Sequence, residues 1–262
     1  MRTTTHVLAT LGCSLFLTFF GCATAPPGLA PEPPSGSAQI QPGTQRAQHL
    51  VREVVRRLEA RYLLHLPRDY GTEPGKRWPL ILYLHGGSLR GDDVEQVRKW
   101  GVPRRAEEDP AFPFIVVTPQ APAGTLWTDV ELLIALLDEV GSRYAVDPER
   151  VYLTGHSMGG NGTWFLAYMH PERFAAIAPM SAPANPWWAT RLASVPTLVF
   201  HGANDEVVPL RASQEMVEAL QARGAPVTFH VLPGRDHGIL AVYEDPSLYT
   251  WLLQHRRPNG GR

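Results

Sequence analysis

Apolar residues are distributed along this chain in three different ways. Residues 7–20 form an apolar run behind the single positive charge of Arg2, too short to span a bilayer comfortably. Ala47, Leu50, Val51, Val54, Val55 and Leu58 recur at helical spacing between Arg and Glu residues. This predicts an amphipathic helix over about 44–60, with strand as the alternative because the Val-Val pair favours β structure. Beyond it, short apolar runs at 79–84, 114–117, 151–154, 174–178, 197–200 and 227–231 alternate with helix-period segments at about 129–144, 158–169, 210–223 and 247–255. Strands that are apolar throughout, separated by helices, predict a mostly parallel sheet with helices on both faces, the α/β class. No internal repeat is evident.

Composition divides the chain. Residues 23–45 are dense in Pro, Gly, Ala and Ser and cannot bury enough apolar surface to order themselves. The expected organisation is a signal peptide at 1–21, a Pro-rich disordered tether at 22–45 and one domain at 46–262, since 262 residues at 44% hydrophobic content supply one substantial core. Lys+Arg 24 against Asp+Glu 25 leaves a net charge of -1, so no basic excess points to nucleic acid. The only cysteines, Cys13 and Cys22, lie in or beside the N-terminal apolar run, so the domain has no internal disulfide. Phe19-Phe20-Gly21-Cys22 resembles a bacterial lipoprotein cleavage site, which implies lipidation of Cys22 and membrane contact only through that anchor. A plain signal-peptidase site at Ala23-Thr24-Ala25 is the alternative, although Pro26 directly after it hinders cleavage.

Gly155-His156-Ser157-Met158-Gly159 fits G-x-S-x-G, a weak pattern alone that gains weight from its place between a strand and a helix opening on small residues. Such a bend exposes a serine oxygen at the carboxyl end of a sheet. A serine hydroxyl is a poor nucleophile, so it needs a base in hydrogen-bond reach and an acid to hold the base. Asp205 follows the run ending at Phe200, and His237 follows the run ending near Leu232, which places both at carboxyl ends of consecutive strands. Glu206 and Asp236 are alternatives for the acid; Asp236 ranks lower because adjacent side chains seldom face each other. An oxyanion formed on Ser157 needs fixed N–H donors. Met158 N–H at a helix start is one, and the loop His85-Gly86-Gly87-Ser88 offers Gly87 in preference to Ser88. His85, His156 and His201 are read as structural.

Taken together, Tyr83-Leu84-His85-Gly86-Gly87, Arg90-Gly91-Asp92-Asp93, Val117-Thr118-Pro119-Gln120, residues 146–155, Ser157-Met158-Gly159-Gly160 and residues 174–179 resemble bacterial "predicted peptidase" proteins. These group with phospholipase/carboxylesterase and dienelactone-hydrolase-like esterases and are similar to polyhydroxybutyrate depolymerases. The resemblance covers about residues 61–249. It implies an α/β-hydrolase fold and ester hydrolysis. Residues 181–195, where larger relatives insert a lid, are short here and carry Trp187-Trp188, which either line an acyl or aromatic surface or pack the loop down. The expectation is an exported serine hydrolase that cleaves small-molecule or polymeric esters through an acyl-enzyme, without metal or organic cofactor. A serine peptidase is the enzymatic alternative, and a non-catalytic binding lipoprotein on the same fold is the other.

Overall fold

The computed structural model describes residues 42, 43, 45 and 47–257. The expected signal peptide, Cys22 and nearly all of the tether lie outside the described residues. The chain divides into two units, Met1–Val54 and Val55–Arg262. In the first, the described residues form no helix or strand, and Leu50, Val51 and Val54 are exposed. Residues 55–61 of the second are also irregular, with Val55 exposed. The helix expected over 44–60 is therefore not formed. A helical rhythm yields a stable helix only when its apolar stripe has a surface to cover, and β-branched Val51, Val54 and Val55 weaken the helix further.

The second unit runs β1 (Tyr62–His65), β2 (Trp78–Leu84), α1 (Gly101–Glu108), β3 (Ile115–Pro119), α2 (Val130–Arg143), β4 (Val146–His156), α3 (Met158–Met169), β5 (Ala176–Met180), α4 (Ala189–Leu192), β6 (Thr197–Gly202), α5 (Leu210–Gln221), β7 (Val227–Leu232) and α6 (Pro246–Leu253). The seven strands form one sheet in the order β1-β3-β2-β4-β5-β6-β7. Only β1 is antiparallel, pairing with β3. Six strands match the six apolar runs; β1 is short, half-buried along its length and lies at the edge, so it lacks the continuous apolar signature.

Side chains alternate across the sheet and build two cores. Leu80, Leu82, Leu84, Ile115, Val117, Leu153 and Val199 face α2, α3, α4 and α5. Ile81, Tyr83, Val116, Tyr152, Ala178 and Leu198 face the other way, toward α1 and α6. The helix α1 has no counterpart among the sequence expectations, because Gly101 and Pro103 read as breakers. Both sit in its first turn, where Pro costs no hydrogen bond, and Val102 and Ala106 carry it into the core. The parallel register sets the carboxyl ends of β4, β5, β6 and β7 side by side, pairing His156 with Met180 and Gly202 with Leu232.

Candidate active site

Between the last residue of β4 and the first of α3 stands Ser157 alone, with φ 58 and ψ -118. Its N–H donates to the Met180 carbonyl at 2.9 Å, which ties the bend to β5. A non-glycine residue in such a conformation carries about 1–3 kcal/mol of strain and persists only where the surroundings fix it. Here they do, because α3 starts hard against β2. A Cβ on Gly159 would lie 1.8 Å from the Leu84 carbonyl oxygen, and one on Gly155 would lie 2.4 Å from the Gly159 carbonyl oxygen. The two glycines of the motif are thus requirements of packing.

The bend delivers the serine hydroxyl to His237, whose Nε2 is 2.8 Å from Ser157 Oγ. On its other side, His237 Nδ1 donates to Asp205 Oδ2 at 2.8 Å. Asp205 Oδ1 accepts from Val207 N–H at 2.9 Å and Val208 N–H at 2.8 Å. Burial pushes the Asp205 carboxyl up, but the Val208 N–H, His237 and the Val207 N–H outweigh it and hold the group below the usual carboxylate range. The structure therefore brings together Ser157, His237 and Asp205. Asp236 is turned away, accepting from Gly238 N–H at 2.9 Å.

The loop after β2 is held by one buried side chain. His85 Nδ1 donates to the Gly86 carbonyl at 2.7 Å, while its Nε2 accepts from Ala121 N–H at 3.0 Å. Burial lowers the His85 pKa, which keeps the acceptor nitrogen bare. In a trans peptide C=O and N–H point in opposite directions, so drawing the Gly86 carbonyl back toward His85 turns the Gly87 N–H the other way. Gly87 and Met158 are the first residues of helical turns, where N–H groups have no intrahelical acceptor. The two loops touch: a Cβ on Gly86 would lie 3.7 Å from Ser157 Cβ, and one on Gly87 would lie 4.0 Å from Met158 Sδ. Trp127, which sequence reasoning missed, donates its indole N–H to the His85 carbonyl at 2.9 Å.

His156 also reaches the site. Its Nε2 donates to the His237 backbone carbonyl at 2.7 Å, and burial pushes its pKa down to about 4. Between that value and the ~6.5 of free imidazole, the unfolded chain binds a proton that the folded chain refuses. The stabilisation is complete above about 6.5 and lost as pH falls toward 4, a difference of roughly 3 kcal/mol. In urea titrations at a series of pH values, His156→Gln should show a shallower loss of stability across this window. Equal slopes in the two proteins would rule out His156 as the cause.

The two tryptophans part company. Trp188 packs on α3, with ring centroids 5.6 Å from Phe165 and 6.0 Å from Tyr168. Trp187 remains 67% exposed, so only it presents a free aromatic face. A cavity of about 1010 Å³ lined by Leu126, Trp127, Phe165 and Met169 lies along the outer side of α3, and none of the triad residues lines it.

A mostly parallel sheet with helices on both faces, a strained serine between strand and helix, and its partners in the loops after later strands give the chain the α/β-hydrolase fold. Residues 124–250, just under half of the chain, match the Dienelactone hydrolase family. A bifunctional acetylxylan esterase/xylanase of Neocallimastix patriciarum is 31% identical over 137 residues, 50% of this chain and 20% of that protein. A probable feruloyl esterase C of Aspergillus terreus is 28% identical over 166 residues, 59% of this chain and 58% of that one. The crystal structure of a thermostable esterase superposes with a TM-score of 0.66 at 29% identity, over 75% of this chain and 59% of the other. This chain thus spans between a fifth and three-fifths of these relatives' lengths.

Proposed function

We propose that the protein is a serine carboxylesterase acting through an acyl-enzyme, with Ser157 as nucleophile, His237 as general base and Asp205 as its orienting acid. The observation that carries the reading is the unbroken chain Ser157 Oγ, His237 Nε2, His237 Nδ1, Asp205 Oδ2, with 2.8 Å at each contact between residues. His237 takes the hydroxyl proton as Ser157 Oγ attacks the ester carbonyl, and the oxyanion accepts from Gly87 and Met158 N–H. The imidazolium returns its proton to the departing alkoxide, leaving an acylated serine. Water then enters by the same route, giving its proton to His237 and releasing the acid as Oγ is reprotonated.

The relatives named as an acetylxylan esterase and a probable feruloyl esterase favour small acyl or aryl groups carried on a larger alcohol as the substrate class. Trp187 is assigned to the acyl or aryl group, as the exposed aromatic surface of the loop that follows β5. Export with Cys22 lipidated belongs to the same proposal, and the similarity to a secreted Arthroderma benhamiae protein supports the export.

Purified enzyme should hydrolyse p-nitrophenyl acetate and methyl ferulate with kcat/KM at least about a hundredfold above the matching anilides. An amine must be protonated as it leaves, and a well-placed acid contributes roughly 10²–10⁴. Trp187→Ala should raise KM for the ferulate more than for the acetate. Comparable turnover of esters and amides would replace this reading by a peptidase. Absence of both turnover and fluorophosphonate labelling would indicate a binding protein. The same preparation, released from membranes by detergent, should begin at a diacylglyceryl-modified Cys22 in the mass spectrum; an unmodified N-terminus at Pro26 would mean ordinary secretion.

A further inference from the structure

We infer that His201 is a positioning residue for Asp205, tying to the rigid sheet the loop residue that holds the triad acid. The inference rests on the serine-esterase reading of the same site.

His201 is the penultimate residue of β6 and fully buried, yet it has three polar neighbours. Its Nε2 lies 2.9 Å from the Val208 carbonyl oxygen and 3.2 Å from Asp205 Oδ2. Both of those atoms only accept, so Nε2 must carry the proton; its hydrogen bond goes to the Val208 carbonyl, and Asp205 Oδ2 stands beside it without one. Its Nδ1 lies 2.7 Å from Ser213 Oγ on α5, and that hydroxyl is 3.4 Å from its other neighbour, the Ala182 carbonyl. The shorter contact takes the hydroxyl proton, which leaves Nδ1 as acceptor and fixes the tautomer from the far end of the ring.

Asp205 belongs to the irregular segment between β6 and α5, and a loop alone positions a catalytic group less tightly than a strand or helix. Three donors bond its carboxylate, Val207 and Val208 N–H at Oδ1 and His237 at Oδ2, and with the His201 ring 3.2 Å from Oδ2 the side chain has no exposed surface. None of these donors stands on the sheet, whereas His201 does. Val207 and Val208 move with the loop, and His237 is the group to be oriented. By bonding the carbonyl of Val208, the residue whose N–H holds Oδ1, His201 references the carboxylate to β6.

Two polar replacements separate this role from simple filling of the core. In His201→Asn the amide reaches Ser213 but stops short of the Val208 carbonyl, whereas in His201→Gln it extends to where Nε2 stood. With active sites counted by fluorophosphonate titration, kcat per site should fall about 3- to 10-fold in the Asn variant, the range of one hydrogen bond between neutral groups. KM should stay within about twofold, and the Gln variant should recover most of kcat. Equal kcat per site in the two variants would overturn the inference. The wild-type protein offers a check independent of whether the variants fold: nitrogen NMR of the imidazoles should show His201 protonated at Nε2. An Nδ1–H tautomer, which cannot donate to the Val208 carbonyl, would overturn it directly. Ser157→Ala serves as control, since turnover surviving there would remove the esterase reading itself rather than the role of His201 alone.

Discussion

Ser157→Ala should lose at least about 10⁴ in kcat toward any ester that the wild type turns over, together with all covalent labelling by fluorophosphonates. The loss should come without unfolding. Alanine retains the Cβ that already sits at φ 58 and gives up only the 2.8 Å contact with His237, so thermal stability should change little. A companion variant separates chemistry from strain. Ser157→Gly should be as inactive but more stable, by up to about 1–3 kcal/mol less glycine's own entropic penalty, because glycine accepts the positive φ freely. Substantial turnover by folded Ser157→Ala, or a Gly variant less stable than the Ala variant, would contradict this account of the bend.

The largest effect on stability is expected two residues further on. Gly159→Ala places a methyl group 1.8 Å from the Leu84 carbonyl oxygen, 2.5 Å from its carbon and 2.8 Å from the His85 carbonyl oxygen. All three are backbone atoms, so no rotamer change relieves the clash. Leu84 is paired with Gly155 in the sheet, and the His85 carbonyl is held by Trp127, so both neighbours are anchored. The helix must then back away from β2, carrying Met158 N–H away from Gly87. We expect more than about 4 kcal/mol of destabilisation in urea titration, or failure to accumulate soluble protein. A Gly159→Ala protein within 1 kcal/mol of wild type would show that the α3–β2 approach is softer than these distances imply.

The middle of the sheet was legible because its strands are covered on both sides. Residues 79–84 and 198–200 are apolar throughout and fall in β2 and β6, and the helical rhythm of 158–169 coincides with α3. Where one face of an element is half-wet or a breaker sits in its first turn, as in β1 and α1, that signal is lost. Over 44–60 the rhythm was present but the residues that carry it, such as Leu50 and Val54, remain exposed. Motif spacing placed Ser157, Asp205 and His237 at strand ends, and the fold brings those three into contact. What spacing could not convey is which histidines stand against them. His156 and His201 read as structural because a chain position says nothing about whether a ring nitrogen faces a carbonyl or a carboxylate. Their only sequence signal is that each polar ring stands where a strand's apolar run ends.

From β4 onward the sheet grows in one direction, each new strand adding beside the one before it, in the order β4-β5-β6-β7. The three residues of the proposed triad follow the same order. Ser157 comes directly after β4, Asp205 after β6, and His237 after β7, 80 residues behind the serine. As the polypeptide emerges from its N-terminal end, the strained serine bend can assemble against β2 and β5 while no base exists to deprotonate it. The last of the three groups is supplied by the outermost strand, which has nothing to pair with until β6 is in place. A chain ending before β7 therefore carries the Ser157 hydroxyl without the His237 partner, and it also lacks α6, whose Leu248, Tyr249 and Leu252 complete the second core.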